Sequence, residues 1–286
     1  TVDRQCGSGQ QAMHFAAQAV MSGTQDVVIA GGVESMSQVP IGASIIDGFK
    51  ADHGVPYGPK ISERYPGVQF NQFDGAEMLV KKYELSGEEL NEFALASHVN
   101  AKRAVEEGRF AEEIVAIEVE LEDGVREMHV QDEGIRLDAT IGSISGLEPM
   151  QEGGVLTAAN ASQICDGASA VMIANAETCK RLGLKPLAKI VAMSVVGSDP
   201  VIMLEGPIPA TRKVLEKAGM GMDDIDLFEV NEAFGSVPLA WAKALDADLD
   251  KLNDNGGAQA LGPPQGGTGA KLKTPLVHEM HRSGKR

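Results

Sequence analysis

A helix that carries apolar residues on nearly every face lies close to the start of the chain and most constrains its fold. Between residues 10 and 22, Ala, Met, Phe and Val recur without a continuous polar face, which predicts a helix buried on all sides. The segment DVVIAGG at 26–32 is typical of a short strand buried on both faces, as in a parallel sheet covered by helices. A buried helix followed by such a strand predicts a layered α/β fold.

The second half of the chain repeats this alternation of helix, strand and glycine-rich turn. GPIPATRKVLEKAG predicts a helix with Pro near its start and Gly219 after its end, and DIDLFEVN predicts a strand. A helix EAFGSVPLAWAKAL, a glycine-rich turn and a last helix that runs into RSGKR follow. The repetition indicates a duplicated α/β unit. Because the corresponding helix of the first half runs into a strand, we expect the second unit to lack one core strand.

The stretch between these two units is less regular. Residues 37–73 are rich in Pro and Gly and predict a loop-rich excursion. Ser86, with Glu89 three residues later, predicts a capping box at the start of a helix. The segment 113–121 alternates as a half-exposed strand does, and 153–183 returns to small residues that predict a buried run and another strand.

Composition excludes several classes of partner. The chain has 286 residues and a formal net charge of −16, so nucleic acid and anionic membrane surfaces are poor partners and an anionic ligand needs a local basic pocket. Three scattered cysteines are too few for a disulfide framework or a four-ligand zinc site, which favours a reducing compartment. No apolar stretch approaches the roughly 20 residues of a membrane span. We therefore expect a cytoplasmic protein without a metal.

Cys6 is the residue whose surroundings point to chemistry. Gly7 and Gly9 permit a tight turn before the buried helix, and the positive end of that helix is expected to lower the pKa of a neighbouring thiol and to stabilise an oxyanion. A free cysteine is more often an inert, small buried side chain, and we interpret Cys165 and Cys179 in that way. For Cys6 the turn favours a nucleophile.

Several segments, in order and at compatible spacing over essentially the whole chain, resemble the thiolase family of acyl-CoA C-acyltransferases. They are VDRQCGSGQQA, AGGVESMS, LTAANASQICDGASAV, GPIPATRKVLEKAG, DIDLFEVNEAF and NGGAQALG with the later QGGTGA. The resemblance implies an α/β fold of duplicated, thiolase-like sheet domains in a layered αβαβα architecture with an inserted loop domain, incomplete at both ends. It also implies a homodimer or homotetramer.

The resemblance divides the chain into three parts. Residues 1–36 would be the remainder of the N-terminal thiolase domain, to which 164–184 return. Residues 37–163 would form the loop domain. Residues 185–286 would form a truncated C-terminal thiolase domain.

The same resemblance assigns site residues. Cys6 corresponds to the acylated nucleophile, and Asn231 of NEAF is similar to the asparagine that positions a water for the thioester oxyanion. Ala233 and Phe234 would lie near the acyl-pantetheine. Ser162 resembles a serine that contacts pantetheine, and Arg136 resembles an arginine that lies along the nucleotide part of coenzyme A. Coenzyme A is then a substrate, and no cofactor or metal is implied.

The chain departs from the family at its catalytic base. Thiolases carry a histidine in GGA.ALGHP, where this chain has Pro263, and proline neither titrates nor donates a hydrogen bond. Family members continue into a strand with a second cysteine, the acid/base of condensation, which we expect this chain to lack. None of its histidines falls in a matching motif: His14, His53, His98, His129, His278 and His281.

Two explanations of this departure stay open. We favour a partial and imperfect version of an ordinary thiolase sequence, and the alternative is a degenerate paralogue that binds acyl-CoA or lipid without catalysis. In either case we predict no measurable thiolytic or condensing activity for this chain. The segment FNQFDGAEML resembles degradative or broad-chain members, which favours 3-oxoacyl-CoA thiolysis in fatty-acid or related β-oxidation over synthesis.

Related folds and motifs explain the residues less well. Ketoacyl-ACP and hydroxymethylglutaryl-CoA synthases share the fold and the cysteine but not NEAF together with GGA.ALG. The glycine-rich LGPPQGGTGAKL lacks the Lys-Ser or Lys-Thr pair of a phosphate-binding loop.

Overall fold

The computed structural model describes residues 1–121, 123–262 and 264–285. The strands are β1 (Val27–Ser35), β2 (Ile117–Glu120), β3 (Arg126–His129) and β4 (Asp166–Ala174). The helices are α1 (Ser8–Met21), α2 (Ala43–Lys50), α3 (Pro59–Arg64), α4 (Gln72–Lys82), α5 (Gly87–Glu106), α6 (Ile141–Ser145), α7 (Ala176–Leu182), α8 (Pro207–Ala218), α9 (Ser236–Leu245), α10 (Ala258–Leu261) and α11 (Thr268–Ser283). Short 3₁₀ helices lie at Gln5–Gly7, Ala158–Asn160, Met222–Asp224, Leu249–Lys251 and Gln265–Gly267.

The predicted helix and strand of the first unit are present as α1 and β1. The prediction that the helix is buried on all sides is wrong for the described residues, because only one face of α1 packs on the strands, where Ala16 and Ala17 are buried, while Phe15 is 52% and Met21 59% exposed. β1 pairs with β4 in an antiparallel ladder, from Val27 opposite Ala174 to Ser35 opposite Asp166, and both α1 and α11 pack on this pair. The prediction that the strand is buried on both faces of a parallel sheet is wrong for the described residues. Successive side chains of a strand point to opposite faces, and the face that α1 leaves uncovered exposes Ile29 by 73% and Val33 by 74%.

The helices predicted in the second unit are confirmed, but its predicted strand is not formed. In place of a strand, Phe228 makes one parallel bridge with Leu252. At Val230, two residues after Phe228, the side chain of Asn253 replaces a neighbouring strand. Its Oδ1 accepts from the Val230 N–H at 3.0 Å, and its Nδ2 donates to the Val230 carbonyl at 3.0 Å. A side-chain amide satisfies the backbone groups that a neighbouring strand otherwise pairs.

One hydrophobic core joins the helices α4 and α5, which follow the loop-rich excursion, to the second unit. Leu79 of α4 and Leu90 of α5 are fully buried in it together with Trp241 of α9, and α5 also packs against α10. The capping box at Ser86 and Glu89 is confirmed at the start of α5. This core places the loop segments and the glycine-rich turn of the second unit against one another.

Every helix in the described ranges is too short or too polar to cross a lipid bilayer.

Candidate active site

Cys6 lies in the middle of the 3₁₀ helix Gln5–Gly7, immediately before α1. The Ser8 hydroxyl fixes this turn, because its Oγ accepts from the Arg4 N–H at 2.7 Å and donates to the Gln5 carbonyl at 2.7 Å. Gln5 has φ of 46°, in the left-handed region that is costly for a residue with a side chain and that recurs at functional turns. The predicted tight turn into the helix is confirmed.

The predicted lowering of the Cys6 thiol pKa is wrong in direction. Burial raises the pKa of the half-buried thiol, the hydrogen bond with its own backbone lowers it, and the carboxylate of Glu34 raises it further. Desolvation of the thiolate and the Glu34 charge therefore outweigh the backbone hydrogen bond that favours the thiolate. The thiol is protonated at neutral pH, so nucleophilic attack requires a base that removes its proton.

A glycine-rich segment of the second unit lies against the Cys6 turn. The 3₁₀ helix Gln265–Gly267 packs on the 3₁₀ helix that contains Cys6, and the Gly266 N–H donates to the Glu34 carboxylate at 2.9 Å. A β-carbon on Gly32 would collide with the Gly266 carbonyl, so only glycine permits this approach of one backbone to the other. Pro263, where the sequence lacks the expected histidine, lies outside the described residues.

Asn231 has a buried side-chain acceptor and lies next to a glutamate that is firmly bound. Its Oδ1 is buried and has no hydrogen-bond partner within the described residues. The neighbouring Glu232 carboxylate accepts from Ser97 Oγ at 2.8 Å, Asn253 Nδ2 at 2.8 Å and the Gln259 N–H at 3.0 Å. A buried oxygen without a partner is uncommon and marks a place where a water or a ligand donor fits.

Three of the predicted binding residues are brought together. The Ser162 N–H donates to the Ala233 carbonyl at 3.0 Å, and Ala161 forms an antiparallel bridge with Phe234. Phe234 is 2% exposed and packs edge-on against Phe73, with 5.2 Å between ring centroids. In the part of the chain that the structure describes, no hydrogen bond links Cys6 or Arg136 directly to this group.

Arg136 is exposed and is held through its backbone by a histidine to which the sequence assigned no role. The Arg136 N–H donates to His98 Nδ1 at 3.1 Å. His98 is 6% exposed, and burial first and the Arg136 charge second lower its pKa. His98 is therefore neutral at physiological pH, with Nδ1 as the acceptor. His98 lies four residues after Ala94 and three before Ala101, both fully buried, and this helical spacing is the signal in the sequence that places it on the buried face of α5.

A further group of polar side chains surrounds the turn at Gly262. Cys165 Sγ donates to the Gly262 carbonyl at 2.9 Å, so this thiol is not merely a packing residue. Glu113 lies near Lys271 and Asp132, and desolvation first and Asp132 second raise its pKa to about 7 against the opposing effect of Lys271. Across 1–121, 123–262 and 264–285, no three His, Cys, Asp or Glu side chains are grouped so as to hold a metal ion.

Comparisons with known proteins match the chain to thiolases over its full length. Residues 1–177 match the family described as thiolase, N-terminal domain, and residues 184–286 match thiolase, C-terminal domain. A steroid 3-ketoacyl-CoA thiolase of Mycobacterium tuberculosis is 48% identical over 100% of this chain and 69% of its own length. A 3-ketoacyl-CoA thiolase of Bacillus subtilis is 41% identical over 99% of this chain and 72% of its own length.

Solved structures show the same fold. Human mitochondrial 3-ketoacyl-CoA thiolase superposes with a TM-score of 0.87 at 36% identity, and Bacillus anthracis acetyl-CoA acetyltransferase superposes with 0.87 at 40% identity. Each likeness covers 100% of this chain and 73% of the solved one. The predicted fold class is confirmed.

Proposed function

Because the chain belongs to the thiolase family of acyl-CoA C-acyltransferases, we propose that Cys6 accepts the acyl group of a 3-ketoacyl-CoA during its cleavage by coenzyme A. The thiolate attacks the keto carbon, and the bond between C2 and C3 breaks. Acetyl-CoA leaves after its C2 takes up a proton, and the shortened acyl group remains as a thioester on Cys6. The thiol of a second coenzyme A then attacks this thioester and releases the shortened acyl-CoA.

The position of Cys6 carries this proposal. It lies in a strained turn at the positive end of the fourteen-residue helix α1, opposite the glycine-rich turn around Gly266. Partial positive charge at a helix N-terminus stabilises an anionic thiolate or oxyanion. Burial of the thiol adds the low dielectric in which such stabilisation is strongest.

The remaining predicted residues supply complementary roles. The free acceptor on Asn231 suits a bound water that donates to it and that in turn donates to a thioester oxygen. The segment that pairs Ser162 with Ala233 offers backbone groups to pantetheine. Arg136 is exposed and offers a guanidinium to the phosphates of coenzyme A, which suits phosphate recognition in an otherwise acidic protein.

We infer that this chain, without a base to deprotonate Cys6, transfers the acyl group slowly or not at all. The raised pKa of Cys6 calls for a base, and Pro263 stands where the resemblance places one. The preferred direction is thiolysis, in agreement with the names of the relatives, and the reaction uses coenzyme A as substrate without a cofactor. We further propose a cytoplasmic homodimer or homotetramer, which light scattering coupled to size exclusion tests.

Intact-mass spectrometry of the protein incubated with 3-ketooctanoyl-CoA tests the proposal. We expect no measurable multiple turnover, and hexanoyl addition at Cys6, with one acetyl-CoA released per adduct, that is slow in the natural chain and faster in Pro263→His. Cys6→Ala is the matched control and must abolish the adduct. Acylation that persists in Cys6→Ala overturns the role of Cys6, and rapid turnover by the unmodified chain contradicts the role given to Pro263.

The alternative, a binding protein without catalysis, predicts a different pattern. Its supporting observation is the raised pKa of Cys6, which makes the thiol a poor nucleophile at neutral pH. A binder protects Cys6 from iodoacetamide when coenzyme A is present but never forms the acyl adduct, even in Pro263→His.

A further inference from the structure

Lys271 of α11 joins two parts of the protein at the turn that precedes the glycine-rich segment. Its ammonium donates to the Leu261 carbonyl at 2.8 Å, to the Gly262 carbonyl at 3.0 Å and to the Asp132 carboxylate at 3.1 Å. An ammonium has three N–H donors, and all three are used. The Lys271 side chain is only 23% exposed, so these bonds are partly shielded from competing water.

The turn at Gly262, which Lys271 binds, lies directly before the segment 264–267 that faces Cys6. Gly262 has φ of 57°, and its carbonyl also accepts from Cys165 Sγ. After this turn the chain reaches Gly266, which is bound to Glu34, and then the tight approach of Gly269 to α1. The segment 264–267 is thus anchored at both ends, with Lys271 providing the anchor at the Gly262 end.

The third bond of Lys271 ties this anchor to the loop that carries Arg136. Asp132 lies four residues before Arg136, and Gln163 adds a parallel connection, since its Nε2 donates to the carbonyls of Gly134 and Gln259 at 2.7 Å each. One ammonium therefore contacts both the turn that precedes the segment opposite the nucleophile and the loop proposed to meet coenzyme A.

We propose that Lys271 is a positioning residue, which holds the segment 264–267 against the Cys6 turn and, through Asp132, aligns the Arg136 loop with it. This inference rests on the proposed function, because it assumes that Cys6 and Arg136 serve the same ligand. Loss of the ammonium removes one donor each from the Leu261 carbonyl, the Gly262 carbonyl and the Asp132 carboxylate, and leaves Gly262 held by Cys165 Sγ. The segment that buries Cys6 then loosens. Water then reaches the thiol, and its pKa falls toward the ordinary value.

The pH dependence of Cys6 alkylation by iodoacetamide, located by peptide mass spectrometry, tests this proposal. For Lys271→Met we expect the midpoint of the profile to fall and the rate at pH 8 to rise about threefold or more, which corresponds to a pKa lower by about 0.5. Lys271→Arg keeps donors for the carbonyls and the carboxylate, and its profile should return toward that of the natural chain. Lys251→Met is the matched control, since Lys251 also donates to one backbone carbonyl, that of Ile225 at 2.8 Å.

Asp132→Ala separates the two arms of the proposal. It leaves the bonds from Lys271 to Leu261 and Gly262 in place, so the Cys6 profile should stay unchanged. Protection of Cys6 by coenzyme A should require about threefold more ligand, because the Arg136 loop has lost its tie. Circular dichroism and thermal unfolding identify any variant that fails to fold. If Lys271→Met is such a variant, the comparison of Lys271→Arg and Asp132→Ala with the natural chain replaces it.

The outcomes distinguish this inference from the proposed function. An unchanged Cys6 profile in a folded Lys271→Met protein overturns the positioning role, even where acylation of Cys6 is observed. A shifted profile with rescue by Lys271→Arg supports that role, even where no acyl adduct forms. An equal shift in Lys251→Met also overturns it, since the effect would then be a general loss of stability.

Discussion

At the scale of single residues, several buried polar side chains in this protein bind backbone groups of distant segments as well as one another. His98 binds the Arg136 N–H, Asn253 binds both backbone groups of Val230, and Glu232 receives a backbone N–H from Gln259. Each is buried or nearly so, where an unpaired polar group costs about 1–3 kcal/mol. Such residues determine the course of the loops on which the proposed site residues lie.

His98 provides the first prediction. His98→Leu removes the acceptor of the Arg136 N–H, and we expect the dissociation constant for coenzyme A to rise about threefold to tenfold, since about 1 kcal/mol of hydrogen bonding no longer orders the loop. His98→Asn keeps an acceptor of similar reach and should bind more tightly than His98→Leu. Titration calorimetry measures both, and equal affinity in the two variants contradicts the role of the acceptor.

Glu113 provides a prediction about pH. Its pKa is raised to about 7 in the folded protein, above the ordinary carboxyl value near 4.3. Its contribution to stability is thus fully present below pH 4 and is lost as the pH rises through 7. Glu113→Gln should therefore raise the free energy of unfolding at pH 8 by about 1–2 kcal/mol after allowance for solvent screening, and by much less at pH 5.

The neighbouring Glu112 is the matched control for Glu113, because its side chain is 90% exposed. Urea unfolding at pH 5 and pH 8 gives the comparison. A stabilisation of Glu113→Gln that is equal at both pH values, or that Glu112→Gln shares, would show that desolvation of Glu113 is not its cause.

At the scale of elements, local patterns set where helices begin, and distant residues decide which strands form. Ser86 accepts from the Glu89 N–H at 3.1 Å, and the Glu89 carboxylate accepts from the Ser86 N–H at 2.6 Å. These groups are three residues apart, so the capping box is visible in the sequence. The strand predicted before Asn231 is not formed, and the N–H and carbonyl of Val230 are instead bound by the side chain of Asn253, 23 residues away.

The capping box gives a prediction at this scale. Ser86→Ala should lower the free energy of unfolding by about 1 kcal/mol, since the N–H of Glu89 loses its acceptor at the start of α5. Ser62 is exposed within α3, and Ser62→Ala should change stability by less than about 0.5 kcal/mol. Urea unfolding of the two variants measures the difference, and equal effects would contradict the capping role.

At the scale of the whole molecule, the helices α4 and α5 and the second unit share one core. Trp241, the single tryptophan of the chain, packs edge-on against Phe228 at 5.1 Å and donates to Thr211 Oγ1 at 2.9 Å. α4 and α5 pack into the same cluster from the other side. Elements that share a buried core unfold together.

This shared core predicts coincident unfolding. In urea, the fluorescence of Trp241 and the helical circular dichroism should follow the same transition, with midpoints that agree within experimental error. Leu90→Ala, in α5, should move the Trp241 transition to lower urea by the equivalent of about 2–5 kcal/mol. A fluorescence transition of Trp241 that is unchanged in Leu90→Ala would show that α5 unfolds independently of the second unit.

The sequence by itself determined the features that depend on near neighbours: the position of helix α1, the tight turn at Cys6, the cap at Ser86 and the ordered motifs that identify the thiolase family. Tertiary structure alone decided the antiparallel pairing of β1 with β4, the upward shift of the Cys6 pKa and the use of Asn253 in place of a strand. It also decided the anchoring of Gly262 by Lys271, whose ion pair with Asp132 spans 139 residues of sequence. Local patterns record backbone preference and burial, whereas the pKa of a thiol and the partner of an ammonium depend on which distant groups the folded chain brings into contact.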